Sequence, residues 1–462
     1  MQDRLRSLSS SARTFSRVIS RAEACAIRSL SVGVFACLAM ASASCALRAQ
    51  TASDTVRLNL REARRLALKG NPELLASRLD TAVARGLRRQ AKLAMRFNPS
   101  IDVLGAGSGR GPEPAIQQEV ELFGQRRARV AAAEAALDRA RSSVADVQRQ
   151  VISDVDRAFY RLTAAMRRAS LADEVLALNE RLSSIAANQL EAGEISGLDY
   201  NLAAIEVGRS RARALTIRRE RGQFAVELAR LVGLATSAPI RPVLADTAMA
   251  AESDTDAMVP ATLPRGPSLA LNVDSLTRLA LSRRPDLAER SAAIREASAL
   301  TSVARREALP NLVLRGVSEK EPGEDRAFRA GLGLALPLFN FNRGEVEARR
   351  ATAQQAVEQR GALVARIRSE TAAVVAAYEA ASDAEALLAS TVLAPARKNR
   401  QLLEGAYRQG KIGLPVLLLV RNQVIDAELE YWQAWLEARE ARAALDEATG
   451  GNLDPVASTR VP

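Results

Sequence analysis

The chain has 462 residues, of which 26% are charged and only 3% aromatic, and its formal net charge is +12. So few aromatic residues exclude several ordinary globular cores, and the abundance of Ala, Leu, Arg and Glu favours long helices or coiled coils. The sequence has no His, and its three Cys lie within the first 45 residues. His-based catalysis, His or Cys metal sites and a disulfide framework are therefore excluded, and we predict no enzyme activity and no cofactor. Acidic residues are interspersed with the arginines without a basic stripe carrying stacking aromatics, so no nucleic-acid partner is expected.

The N-terminal 49 residues have the pattern of an export signal. A basic segment precedes an apolar run too short to anchor the chain in a bilayer, and an A-x-A cleavage motif begins at Ala41. We predict that residues 1–49 are a signal peptide cleaved near 43–49. The alternative is a lipid attached to Cys45 as the first mature residue, although Ser42 stands where lipoprotein signals prefer Leu.

The rest of the sequence contains a long internal repeat. Gly193-Glu194-Ile195 returns as Gly410-Lys411-Ile412, and Leu66-Ala67-Leu68 returns as Leu279-Ala280-Leu281. Because there are two copies, a duplicated half-structure is more plausible than a solenoid of many repeats. The predicted parts are a first structural repeat at 50–234, with a hairpin at about 100–123 and a long helical hairpin at 125–233; a connector at 235–269; a second structural repeat at 270–450, with a hairpin at about 311–339 and a long helical hairpin at 343–449; and a flexible tail at 451–462.

Each repeat opens with two amphipathic helices. In the first repeat, Asn59 and Glu62 predict a capping box at the start of the first helix. Asn71 then caps a second helix that has Pro72 at its first position, and we expect this helix to stop before Asn98.

Two β-hairpins are predicted next, one in each repeat. Apolar residues alternate with small or polar ones, for example Phe328, Leu332 and Leu334 against Arg329 and Gly333. The segments approach the ~9–11 residues of a membrane-spanning strand. Phenylalanines flank both hairpins, as at a bilayer interface. The alternative, two soluble hairpins packed on helices, stays open from the hairpins alone.

Each hairpin leads into a very long helix, and then into a glycine-centred turn with a return helix. Apolar residues recur every seven positions from Val130 to Val151, which predicts coiled-coil packing. At ~1.5 Å per residue, a helix of this length reaches roughly 100 Å and extends far beyond a bilayer. The return helices are expected to end near Gly233 and Gly450.

Four strands are too few for a closed barrel, since membrane-spanning barrels begin at about eight strands. Lipid also does not tolerate open strand edges, because unpaired backbone groups there cost several kcal/mol each. If the hairpins lie in a membrane, copies of the chain must therefore share one barrel. Three copies give twelve strands and a matching ring of long helices.

At this point the sequence resembles the TolC-like outer membrane factors. The stretch from Gln118 through Phe123 to Arg126 is similar to the family's entry into the first long helix, and Ala335 to Gly344 is similar to the second. Glu191 to Asp199 and Tyr407 to Ile412 are similar to its two periplasmic turns. The resemblance covers about residues 55–450, and its first half is most similar to the branch that serves heavy-metal efflux.

The resemblance implies a mainly α fold with a small β part, assembled as a trimeric 12-stranded β-barrel continued by a long α-helical barrel. It further implies a homotrimer in outer membrane lipid, with a large periplasmic extension, that passively exports small solutes or metal ions. An inner-membrane pump, of the resistance-nodulation-division type, would deliver them through a periplasmic adaptor. The residues matching the family's adaptor-docking turns are Gly193, Ile195, Ser196, Leu198, Asp199, Gly410, Ile412 and Leu414.

Three alternatives remain at this level. The glycines of the two turns would, in the simplest interpretation, only reverse a helical hairpin. The chain could instead be the exit duct of a type I protein secretion system, or a soluble periplasmic coiled-coil adaptor or scaffold.

The second turn also departs from the family, because the apolar run 415–419 follows it where relatives often carry acidic residues at the pore constriction. An acidic gate is therefore not expected there.

Overall fold

A computed structural model describes residues 56–104, 113–235, 240–244, 272–319 and 325–451. The predicted signal peptide, its cleavage site and Cys45 lie outside these ranges, as do most of the predicted connector and all but the first residue of the predicted tail. In chain order the elements are β1 (Val56–Leu58), α1 (Leu60–Gly70), α2 (Pro72–Ala91), β2 (Ser100–Leu104), β3 (Glu113–Val120), α3 (Gln125–Glu191), α4 (Gly197–Val232), β4 (Ile240–Pro242), α5 (Val273–Arg283), α6 (Pro285–Glu307), β5 (Leu312–Glu319), β6 (Ala327–Leu334), α7 (Arg343–Leu387), a π-helical turn (Leu388–Leu393), α8 (Ala394–Arg408) and α9 (Leu414–Ala448).

The short helices of the first repeat begin at the predicted residues. The Asn59 side chain accepts a hydrogen bond from the Glu62 backbone N–H at 2.8 Å and completes the capping box of α1. Asn71 caps α2 and, at the same time, donates from its buried amide to the carbonyl of Leu231 at the end of α4 at 3.0 Å. α2 ends at Ala91, and so stops before Asn98 as expected. The chain from Lys92 to Pro99 leads to the sheet, and the carbonyl of Phe97 accepts a hydrogen bond from Gln118 of β3.

Strands from both repeats join in one antiparallel sheet, in the order β2-β3-β5-β6. The central pair, β3 and β5, aligns Ile116 with Gly316, and β5 aligns Leu314 with Leu332 on β6. These residues share one face with Phe328, which lies across Gly316 and is 73% exposed. Apolar residues on this face are therefore exposed in the single chain.

The opposite face of this sheet is polar. Gln117 of β3 donates to Asp102 of β2 at 3.1 Å and stands opposite Arg315 of β5. Arg329 of β6 pairs with Glu319 of β5 at 3.3 Å. The period-2 alternation of the sequence thus appears as an amphipathic sheet. Within the described ranges β2 and β6 each pair on one side only, so the sheet has two open edges.

The 67-residue helix α3 is the central element of the helical part. It packs against α2, α4, α6 and α9, and its buried residues include Val151, Val155, Phe159 and Leu162. Tyr160 of α3 makes an edge-on aromatic contact with Trp435 of α9, and the two ring centroids lie 5.8 Å apart. The repeats are therefore joined twice, once by strands and once by helices.

The corresponding helix of the second repeat is not continuous, in contrast to the single run expected over 343–409. α7 ends at Leu387, a π-helical turn follows, and α8 begins at Ala394. Pro395 explains the interruption, because proline lacks a backbone donor and its ring clashes with the carbonyl four residues earlier. A wider turn relieves that clash. Leu388 and Leu393 of this turn pack on the aromatic cluster around Trp435.

The structure is mainly helical with a small sheet, which confirms that part of the predicted fold. A second, two-stranded sheet of β1 and β4 was not predicted, because strands of three residues are too short for a period-2 pattern. β4 lies within the predicted connector. No described helix is both long enough and apolar enough to cross a membrane.

Candidate functional site

The first glycine turn lies between α3 and α4. Gly193 adopts φ +72°, the left-handed conformation that glycine tolerates best. Its N–H donates to Leu190, and the N–H of Glu194 donates to Gln189 at 2.8 Å. This is the hydrogen-bond pattern of a Schellman motif, which satisfies carbonyls at the end of α3. The turn therefore ends a 67-residue helix without leaving these groups unpaired.

The start of α4 is fixed by a reciprocal cap. The Ser196 hydroxyl accepts a hydrogen bond from the Asp199 backbone N–H at 3.2 Å. Asp199 returns a hydrogen bond by accepting from the Ser196 hydroxyl at 2.9 Å and from its N–H at 3.4 Å. The predicted residues Ser196 and Asp199 thus hold each other, and their polar atoms shape the turn.

The second turn repeats the backbone but not the cap. Gly410 has φ +67°, its N–H donates to Tyr407, and the N–H of Lys411 donates to Ala406 at 2.9 Å. Gly413 occupies the position that Ser196 has in the first turn, so α9 starts without a side-chain cap. The charges differ as well, because exposed Glu194 in one turn corresponds to exposed Lys411 in the other.

One hydrophobic cluster brings the two turns together. Buried Leu182 and Ala186 of α3, Ala203 of α4 and Leu417 and Leu418 of α9 form its centre. Ile195 of the first turn and Ile412 of the second both pack against it, so the two turns lie side by side at one end of the helical part. The sequence did not predict that the two turns lie next to each other. The other side chains packed on this centre are Leu178, Tyr200, Leu403 and Tyr407.

The predicted site residues divide into exposed and inward-facing groups. Leu198 projects from the first turn with 70% of its surface exposed, and Gly193, Ser196 and Gly410 are exposed too. Ile195 and Ile412 are half-buried in the cluster. The backbone of Leu414 starts α9. The outer surface of the turns therefore includes the exposed backbone of the two glycines and the exposed apolar side chain of Leu198.

The apolar run 415–419 is split by the helix. Leu417 and Leu418 are buried in the cluster, whereas Val416 is 49% and Leu419 62% exposed. Spacing of three places Val416 and Leu419 on one face of α9. Their exposure could not be read from the run itself, which is uniformly apolar.

Behind the cluster, polar contacts tie α9 to the first long helical hairpin. Buried Arg421 donates to the side chain of Asn179 of α3 at 2.8 Å, and Asn179 is itself only 3% exposed. Asn422 donates to Glu206 of α4 at 3.2 Å. On the exposed side, Arg213 and Asp426 form an ion pair at 3.0 Å. Such contacts fix the position of the second turn relative to the first.

Comparison with known proteins gives consistent matches along most of the chain. The family model for outer membrane efflux proteins matches residues 63–234 and 276–451. The cobalt-zinc-cadmium resistance protein CzcC of Cupriavidus metallidurans is 24% identical over 398 residues, which cover 85% of this chain and 90% of CzcC. The matches confirm the resemblance inferred from the sequence.

Solved structures show the same fold. The outer-membrane channel OprN superposes with a TM-score of 0.66 at 21% identity, covering 85% of this chain and 90% of OprN. The transmembrane channel CusC superposes with a TM-score of 0.66 at 18% identity, covering 87% of this chain and 95% of CusC.

Proposed function

This chain belongs to the outer membrane efflux protein family, and on that premise we propose that it is the passive exit duct of a tripartite efflux system. It lies in the cell outer membrane with a large periplasmic extension. An inner-membrane pump of the resistance-nodulation-division type supplies the driving force. A periplasmic adaptor connects the pump to the duct. The channel itself performs no catalysis.

The open amphipathic sheet is the observation that carries this proposal. Its apolar face is exposed, with Leu332 at 77% and Ile101 at 72%, and its other face carries Asp102, Gln117 and Arg315. Apolar residues facing lipid and polar residues facing a lumen are the pattern of outer-membrane strands. Unpaired edges are not stable in lipid, so β6 of one copy must meet β2 of the next.

Three copies complete the duct. They supply the twelve strands of one barrel, continued by a ring of long helices from the two structural repeats, 50–234 and 270–450. The polar face of the sheet then lines the opening. The two glycine turns of each copy lie at the far end, where the adaptor docks.

The docking surface is proposed to comprise the exposed backbone of both turns and the side chain of Leu198. A turn whose backbone is fixed by capping offers the adaptor a preformed surface, which lowers the entropic cost of binding. Ile195 and Ile412 support that surface from the cluster beneath the turns, Asp199 completes the cap at Ser196, and Leu414 begins α9. The glycine at Gly410 leaves the second turn free of a side chain at its tip.

The cargo is proposed to be small solutes or metal ions. This part rests on the relative CzcC, whose name records resistance to cobalt, zinc and cadmium. A deletion strain challenged with these metals, and separately with drugs and dyes, tests it. Restored metal resistance on complementation supports metal ions as the cargo. Restored resistance to drugs alone argues against metal ions and favours small organic solutes.

Shared strands are tested by cross-linking. The sequence has no Cys after Cys45. The double variant Ile101→Cys in β2 and Leu332→Cys in β6 can therefore be oxidised, and disulfides between copies can be detected without interference from other cysteines of the strands and helices. Because the register between copies is not fixed by a single chain, Val103 and Phe328 provide neighbouring pairs. A ladder ending at three copies supports the proposal. Each single-Cys variant is the control and should give no trimer band.

Adaptor docking is tested by Leu198→Asp, which places a charge on the exposed turn. We expect the trimer to assemble normally and to lose adaptor binding in a pull-down with the purified adaptor. Thr216→Asp adds the same charge to the exposed middle of α4 and serves as the control. Equal adaptor binding by both variants would reject docking at Leu198 and favour turns that only reverse the chain.

A further inference from the structure

The helices and the sheet meet in a region that neither the channel wall nor the docking turns explain. We call it the collar and define it as residues 85–97, 121–130, 303–311 and 336–350. Its parts are joined by hydrogen bonds: Arg126 donates to the carbonyl of Lys92 at 2.9 Å, and Asn342 donates to that of Ala304 at 2.9 Å. Arg306 donates to the carbonyl of Phe123 and so joins the third part to the second.

The collar is strongly basic. It contains 13 Lys and Arg residues against four Asp and Glu residues, whereas the whole chain has 65 against 53. Several of these cations have internal partners, as Arg96 has in Glu307 at 3.7 Å. Arg127, Arg305 and Arg343 are exposed, and no ion pair involves them within the described residues. The excess of positive charge is therefore directed outward.

Large apolar side chains are exposed in the same place. Phe339 is 96% exposed, Leu338 68% and Leu336 63%. Soluble monomers rarely expose large contiguous apolar patches, and such patches mark interaction sites. Aromatic and aliphatic residues beside Lys and Arg are typical of the interface between a bilayer and water. The further exposed apolar residues of the collar are Leu87, Leu93, Met95, Leu122, Phe123, Leu309 and Phe341.

Both long helices begin in the collar without a side-chain cap, and the first of them begins with charges of the unfavourable sign. A helix N-terminus carries partial positive charge and favours anions. α3 begins with Gln125-Arg126-Arg127, has no acidic residue in its first turn, and receives no side-chain cap from Gly124. α7 also begins at an arginine, Arg343, and without a side-chain cap, while Glu345 places one acidic residue in its first turn. Such a conflict with local preference is expected where an external anion supplies the missing negative charge.

We propose that the collar binds the anionic headgroups of membrane phospholipids, with phosphatidylglycerol as the representative lipid. The inference rests on the proposed function, since it places the collar at the periplasmic leaflet that surrounds the helix end of the sheet. Exposed leucines and phenylalanines lie among the upper acyl chains, and arginine side chains extend to the phosphates. Charge complementarity selects anionic over zwitterionic lipid.

The test titrates the purified full-length assembly, in mild detergent, with phosphatidylglycerol or phosphatidylcholine and counts bound lipids by native mass spectrometry. The wild type should bind phosphatidylglycerol more tightly than phosphatidylcholine. Each of Arg127→Gln, Arg305→Gln and Arg343→Gln should weaken phosphatidylglycerol binding about fivefold, the factor that corresponds to about 1 kcal/mol per basic residue near an anionic surface. Phosphatidylcholine binding should not change.

A matched set of three single substitutions removes one positive charge at a time elsewhere. Arg219→Gln, Arg221→Gln and Arg366→Gln lie on exposed positions of α4 and α7, away from the collar. This control should keep the wild-type preference for phosphatidylglycerol. An assembled trimer that binds both lipids equally, or whose preference survives in the collar variants, overturns the collar proposal but not the duct. A chain that never enters a bilayer overturns both.

Discussion

A substitution at Gly233 tests how the end of the first return helix is held. Gly233 follows α4 with φ +73°, and a Cβ built there would lie 2.4 Å from the carbonyl oxygen of Gly70. α1 ends at Gly70 and α4 ends at Val232, so this close approach brings the two helix ends together. Gly233→Ala should therefore act through two separable effects, the backbone conformation and the contact.

The first effect is the left-handed conformation, which costs a residue with a Cβ about 1–2 kcal/mol. The second is the contact, because a carbonyl oxygen at that distance must move, and overpacking of this kind costs typically 1–3 kcal/mol. Together they predict that Gly233→Ala lowers the free energy of unfolding by about 2–5 kcal/mol. The three nearest atoms to such a Cβ are all backbone atoms of Gly70, so the closest contact cannot be relieved by moving the end of a flexible side chain.

Two other glycines separate these effects. Gly193 has nearly the same φ, +72°, but a Cβ there would meet nothing within 4 Å, so Gly193→Ala should lose only about 1–2 kcal/mol. Gly86 lies within α2 and is equally open, so Gly86→Ala should gain about 0.5–1 kcal/mol. Urea denaturation of the detergent-solubilised protein, followed by helical circular dichroism, measures all three. Equal losses for Gly233→Ala and Gly193→Ala would refute the role of the Gly70 contact.

Three further predictions address the docking end, the π-helical turn and the junction of the repeats. Leu417→Ala should cost about 2–5 kcal/mol by opening a cavity in the cluster beneath the turns, measured by the same denaturation assay. Pro395→Ala should stabilise the protein by restoring a backbone donor, with slower amide hydrogen exchange in the π-helical turn. Burial opposes ionisation of Asp286, but the hydrogen bond and charge of Arg284 outweigh it and lower its pKa. The ionised Asp286 carboxylate therefore contributes its full stabilisation above pH 3.8, the ordinary pKa of an Asp side chain, and loses it as the pH falls through the lowered pKa of the folded protein. Asp286→Asn should remove this part of the loss of stability in acid.

Each of these predictions has a distinct contrary result. A loss below 1 kcal/mol for Leu417→Ala, compared with exposed Leu419→Ala as control, would mean that the cluster collapses around the gap. Destabilisation by Pro395→Ala would show that packing on the aromatic cluster, and not the proline, imposes the wide turn. Stability of Asp286→Asn that falls with acid as steeply as in the wild type would assign the pH dependence to other carboxylates.

Much of the architecture was predictable because its signals are local. Asn59 with Glu62 and Asn71 with Pro72 specify helix starts by short-range capping, and both starts are found as predicted. Glycine at position 193 indicates a turn through its own conformational freedom. Alternation in the strands likewise specifies two faces, whatever surrounds them.

The features that escaped prediction depend on contacts distant in sequence. The uniform run 415–419 does not reveal that Leu417 faces the cluster and Leu419 faces outward, because that choice is set by packing against α3 and α4. Joining of the two hairpins through β3 and β5 is likewise a long-range pairing. Pro395 was visible, but a wide turn is only one of the ways in which a helix accommodates proline.

The sharing of strands between copies is the central claim, and an electron cryomicroscopy map of the purified assembly in lipid nanodiscs tests it most directly. The account predicts three copies around one axis, with β6 of each copy hydrogen-bonded to β2 of the next in a ring of twelve strands. A single copy whose own four strands stay open in solvent, or a ring closed by any other number of copies, would contradict it.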